Sequence, residues 1–173
     1  MTQILTENLC FAEGPRWRDG YLWFSDMYAQ QILKIDLDGK KEVVLKLDDD
    51  QPSGLGWLPN GDLLFVAMTS RQLRRFNGQK VYLHSDMSQL ASGKLNDMVV
   101  STKGYAYVGN FGFDLHGGEK PNQAELIICD PSGEASLADE NMSFPNGAVI
   151  TPDNKTLIVA ETFARQITAF DID

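Results

Sequence analysis

Four polar residues open four apolar runs at matched places along the 173-residue chain: Glu13 in AEGPRW, Ser53 in PSGLGW, Asn96 in LNDMVV and Asn146 in PNGAVI. Glu13 lies seven residues before a turn signal at Gly20, and Ser53, Asn96 and Asn146 lie eight before Gly61, Gly104 and Asn154. If equivalent residues of a repeat converge on one axis, a carboxylate, two amides and a hydroxyl meet there. All are oxygen donors, with no Cys or His among them, and such a set suits a hard divalent cation better than a soft one. The competing reading is local: Asn and Ser before Gly are common turn residues that hydrogen-bond their own backbone.

The elements that must hold these residues repeat in two registers. In RDGYLWFSD, PNGDLLFVA, TKGYAYVGN and PDNKTLIVA a turn signal leads into residues rich in aromatic and branched side chains, the pattern of a hairpin strand. The turns are 41, 43 and 50 residues apart. A second pattern, ILKID at 32–36, LRRFN at 73–77, LIICD at 126–130 and ITAFD at 167–171, steps by 41, 53 and 41. Two registers moving together require a hairpin and at least one further strand per unit, the period of a β-propeller blade. The expected fold is all-β: one partial propeller domain over 1–173, with blade-like repeats near 11–50, 51–92, 93–140 and 141–173. The third unit carries an insertion, FGFDLHGGEKPNQAE, whose Gly, Pro and Asn content marks a long loop.

Composition narrows the function classes. The 43% hydrophobic content supports a packed domain, and the net charge of −9, from 24 acidic against 15 basic residues, offers no basic patch for nucleic acid. No run approaches the length of a membrane span, and MTQILTENLC lacks the basic start and apolar stretch of a secretory leader, so a cytoplasmic protein is expected. Cys10 and Cys129 are too few for a metal cluster and read as reduced thiols, Cys129 as a small buried hydrophobe within LIICD. His84 in VYLHSD and His116 in DLHGG have no acidic partner at a triad-like spacing and read as surface residues.

AEGPRW, PSGLGW, LNDMVV, YVGNFGFD and FPNGAVITPDNKTLIVAET together resemble the regucalcin (senescence marker protein)/gluconolactonase/luciferin-regenerating family, over essentially the whole chain. The resemblance implies a six-bladed propeller with a divalent metal in its central channel, calcium first, with zinc, manganese or magnesium as alternatives. It places metal ligands on Glu13 and Asn146, with Asn96 near metal and substrate, and substrate contacts on Lys94 and Asp114. The implied reaction is hydrolysis of a small-molecule lactone or similar cyclic ester, and the alternative is a non-catalytic calcium-binding or interaction propeller. The family's aspartate in a later Pro-Asp-Gly motif, both ligand and favoured general base, has no counterpart after Asn146, so the catalytic base is unassigned. Asp97 neighbours Asn96, but regular strand alternation would turn it to the opposite face. Six blades of roughly 45 residues need about 270 in all, so the chain is expected to stop short of closure. Unclosed blade edges then invite self-association.

Overall fold

A computed structural model of the chain describes residues 2–172. Each hairpin turn predicted above passes through the left-handed region: Gly20, Gly61 and Gly104 at φ 83°, 91° and 90°, and Asn154 at 57°, with Asp19 beside Gly20 also at 51°. Asn is the non-glycine residue best suited to that conformation, which is why it can replace Gly in the fourth unit.

The chain forms four antiparallel sheets whose strands follow sequence order. The first contains β1 (Ala12–Arg18), β2 (Tyr21–Asp26), β3 (Gln31–Ile35) and β4 (Lys41–Lys46). The second contains β5 (Pro52–Trp57), β6 (Leu63–Ala67), β7 (Gln72–Phe76) and β8 (Val81–Asp86). The third contains β9 (Leu95–Val100), β10 (Ala106–Asn110), β11 (Ala124–Cys129) and β12 (Ala135–Met142). The last contains β13 (Pro145–Ile150), β14 (Thr156–Glu161) and β15 (Gln166–Asp171). This is the arrangement of four propeller blades. No helix occurs among the described residues, so none is long and apolar enough to cross a membrane.

Burial shows how the blades stack. In the second and third blades β6 and β10 are buried at every residue, because a sheet covered on both faces has no solvent side. In the last blade β14 alternates between buried and half-buried, the signature of one covered face. Separate clusters fill the gaps between blades. Ile32, Leu55, Leu63 and Phe65 lie between the first and second, while Met68, Leu73, Met98, Val108 and Ile127 lie between the second and third. Tyr107, Leu126, Leu157 and Val159 lie between the third and fourth. Cys129 is fully buried in the second of these clusters, and burial pushes its thiol up to about 11. Cys10 is exposed, and neither cysteine is in a disulfide.

Buried acceptors tie the entry of each innermost strand to the end of the second strand. Asp26 accepts from the Cys10 and Phe11 amides, and Asn110 from those of Gly93 and Gly112. Glu161 accepts from the Ser143 amide. In the second blade the direction reverses: Asp50, just before β5, accepts from Thr69 and Ser70 in the turn after β6. These bonds gather at one end of the molecule, where the innermost strands begin.

Candidate functional site

Ala12, Pro52, Leu95 and Pro145 pair with the last residues of the second strands, Asp26, Ala67, Asn110 and Glu161. Glu13, Ser53, Asn96 and Asn146 each come next, and the ladder shifts register at Ser53, Asn96 and Asn146 and directly after Glu13, which still pairs with Ser25. A bulge adds a residue to one strand and re-aims its side chains, so the four polar residues sit at one repeated irregularity. Counting from the turns therefore finds structurally equivalent positions.

Neighbouring blades touch at these bulges. A Cβ on Gly14 would stand 2.9 Å from the Ser53 carbonyl oxygen, and one on Gly54 would collide with the Met98 backbone nitrogen. Only glycine permits that approach. Ser25 Oγ donates to the Ser53 carbonyl at 2.6 Å, and Asn96 Nδ2 donates to the Pro145 carbonyl at 3.2 Å. The contacts run from first blade to second, second to third, and third to fourth.

Ser53 and Asn96 are buried, and Glu13 and Asn146 half-buried. Ser53 Oγ is buried without a hydrogen-bond partner, and Asn96 spends its amide nitrogen on Pro145. Burial raises the Glu13 carboxyl above the ordinary range, and the nearby Asp97 carboxylate raises it further. An orphaned hydroxyl and a half-buried carboxyl raised by burial and a neighbouring carboxylate are features that a hard divalent cation would relieve. Among the described residues no group of three or more His, Cys, Asp or Glu could hold a metal, so amide and hydroxyl oxygens must complete any such site.

Asp97 takes a different direction from its neighbour: Asn96 reaches Pro145 of the fourth blade, whereas Asp97 meets Arg16 of the first. Its carboxyl is buried, and Oδ1 accepts from Arg16 Nη2 at 2.9 Å and from the Met98 amide at 2.8 Å. Arg16 reaches from β1 to β9 and also donates to the Met98 carbonyl. Burial raises the Asp97 carboxyl and Arg16 partly offsets this. An aspartate held by a guanidinium is a structural counter-charge rather than a free base. Arg16 carried no functional signal in the sequence; its partner is 81 residues away.

Lys94 and Asp114 come together in a different place, a cavity of about 490 Å³ also lined by Thr69, Arg71, Phe111, Phe113 and His116. Glu13, Asn96 and Asn146 do not line it. Asp114 is exposed, and its Oδ1 accepts from the Gly117 amide at 2.9 Å, so the side chain folds back on its own loop. His116, read from sequence as a surface residue, is exposed and stands in this cavity wall, edge-on to Phe111 at 6.3 Å. His84 is half-buried, and its Nε2 is buried without a partner. Arg71 also went unnoticed in the sequence. It occupies the left-handed turn position before a glutamine that recurs as Gln30–Gln31, Arg71–Gln72 and Arg165–Gln166, a third register of the repeat.

The family model described as the SMP-30/Gluconolactonase/LRE-like region matches residues 11–173. Among solved structures, a gluconolactonase of Xanthomonas campestris superposes with a TM-score of 0.78 at 21% identity, covering 98% of this chain and 61% of that one. A calcium-binding protein, regucalcin, of Agrobacterium tumefaciens gives a TM-score of 0.79 at 20% identity, covering 98% and 57%. A chain of a nidogen/laminin complex gives 0.78 at 12% identity, covering 94% and 61%. Similar folds thus occur in a gluconolactonase and in a nidogen/laminin complex, so likeness of fold assigns no activity. This chain spans about three-fifths of each of these neighbours. With the model matched from the first inner strand onward and the bulged Glu, Ser and Asn positions in one register, the chain belongs to the SMP-30/gluconolactonase/LRE-like family.

Proposed function

We propose that the chain is the metal-binding and substrate-orienting part of a lactone hydrolase. The observation that carries this reading is the coincidence of the family match over 11–173 with oxygen donors at the bulges of adjoining inner strands. Glu13, Asn96 and Asn146 would hold the cation, with Ser53 Oγ as a further oxygen at the same register position. When bound, such an ion supplies Lewis acidity for a lactone carbonyl and lowers the pKa of water.

The chain's own residues do the rest. Lys94, half-buried beside the inner-strand entry, presents a positive charge that orients a carbonyl or nascent carboxylate. Asp97 is occupied by Arg16, and Asp114 by its own loop, so neither serves as the proton acceptor. The substrate is a lactone or similar cyclic ester, and the metal is calcium, zinc, manganese or magnesium.

Calorimetric titration with calcium, manganese and zinc, run beside a pH-stat assay of lactone opening, tests the proposal. Divalent metal binding is expected, lost in Glu13→Gln, together with hydrolysis above the background of chelator-treated protein. Metal binding with no turnover of any lactone would overturn the hydrolase reading in favour of a calcium-binding propeller. Unchanged affinity in Glu13→Gln would overturn the ligand assignment.

A further inference from the structure

We propose that the outer edge of β15 pairs with the same edge of a second copy of this chain, the two strands running antiparallel about a two-fold axis at Thr168. The pairing is independent of the lactone reading.

β15 lacks the protection of the other outermost strands. An open strand edge is a template for another strand, and natural sheets blunt it with bulges and charges. β4, β8 and β12 each pair through a register shift, and β4 and β12 also carry Lys41, Glu42 and Lys46, and Asp139 and Glu140. β15 reads QITAFD, and its single charge, Asp171, is its last residue. It pairs with β14 from Thr156 opposite Asp171 to Glu161 opposite Gln166 without a shift. Among the described residues no strand pairs with its other side.

The free backbone groups of that edge can be named. The Ile172 amide donates to the Lys155 carbonyl at 2.8 Å, one step beyond the Thr156–Asp171 pair. Antiparallel strands exchange bonds at every second residue. Gln166, Thr168 and Phe170 therefore turn their N–H and C=O groups to β14, while Ile167, Ala169 and Asp171 turn theirs away from it.

Charge selects the partner and the register. Arg165 directly precedes β15 and Asp171 ends it; both are exposed, and neither has an ion-pair partner within 4.0 Å among the described residues. Antiparallel pairing centred on Thr168 sets Ile167 against the partner's Ala169, so that outward groups meet outward groups. The same register places Arg165 opposite the partner's Asp171, at both ends of the pairing. A slide of two residues in either sense separates both ion pairs. Opposite charges and apolar residues facing each other across strands each stabilise a sheet.

The other end of the row of blades is closed by the chain itself. Leu5 and Leu9 pack on Phe24, Leu33 and Ile35, on the side of the first blade away from the second. Lys41 Nζ donates to the Glu7 carbonyl at 3.4 Å across the same segment. A contact confined to β15 is self-complementary, so association closes at two copies instead of growing head to tail.

Sedimentation over a range of concentrations is expected to find a monomer–dimer equilibrium with no larger species. Ala169→Pro removes one outward N–H and no bond to β14, so it should abolish the dimer and keep the strand signal in circular dichroism. Arg165→Glu opposes like charges at both ends and should weaken the dimer at least about fivefold, while adding Asp171→Lys should restore it. These exposed positions carry the test if Ala169→Pro fails to fold. A monomer at every concentration, or a double variant no tighter than Arg165→Glu alone, overturns the proposal. So does a dimer that a folded Ala169→Pro retains and Val149→Lys dissolves, because that contact lies on the sheet face instead of the edge.

Discussion

Asp50 is the buried group whose removal should be felt most widely. It is 2% exposed, and its carboxylate accepts from the amides of Gln51 at 2.7 Å, Thr69 at 2.8 Å and Ser70 at 2.9 Å. A hydrogen bond to a charged group contributes about 1.5–3 kcal/mol. Three bonds sharing one carboxylate are not additive, so Asp50→Ala should destabilise the chain by about 3–4 kcal/mol at neutral pH. Asp50→Asn keeps one acceptor oxygen and should lose about half as much. Burial pushes the Asp50 carboxyl upward, but the hydrogen bonds from Ser70, Thr69 and Gln51 outweigh it and hold it below the ordinary 3.8. A depressed carboxyl contributes stability that is fully present above the ordinary value and is lost as pH falls through the folded value. The gap between the native chain and Asp50→Asn should therefore be full near neutrality and shrink below about pH 4. Urea denaturation followed by tryptophan fluorescence at a series of pH values measures it. A loss under about 1 kcal/mol for Asp50→Ala near pH 7, or a gap to Asp50→Asn that does not narrow in acid, refutes the clasp as the source of stability.

Three shorter predictions follow from the same geometry. Arg16→Met leaves Asp97 buried without its partner and should cost about 2–4 kcal/mol, while the double variant with Asp97→Asn should recover part of the loss; strictly additive losses would show that the pair is not coupled. The thiol of Cys129 is fully buried and pushed up to about 11, whereas Cys10 is exposed, so a thiol reagent at mildly alkaline pH should label Cys10 alone until urea is added. The free face of the last blade aligns Val149 with Ile158 and Ile167 with Ala160, and Val149 and Ile167 are 57% and 68% exposed. Sedimentation should find self-association that Ile167→Lys weakens; a monomer at all concentrations would refute it.

Repetition made the blades legible. Gly20, Gly61, Gly104 and Asn154 mark the same left-handed turn, and counting back from them reaches the same bulge in each blade. A repeat writes local geometry several times over, so one unit corroborates another. Arg16 and Asp97 escaped that reading because their pairing depends on how the first and third blades converge, 81 residues apart. Lys94 and Asp114 were legible as residues but not as joint walls of one cavity with Arg71 and Phe113.

Strand content, turn positions and the common register of Glu13, Ser53, Asn96 and Asn146 followed from the sequence alone, because hydrophobic period and backbone sterics act over a few residues. Tertiary structure decided which side chains face one another. It joined Asp97 to Arg16, folded Asp114 back onto its own loop, left Ser53 Oγ unpartnered, and packed Phe144 and Phe163 against Phe111 and Phe113. Those outcomes depend on how whole blades pack, a sum of contacts between segments whose separation no local pattern encodes.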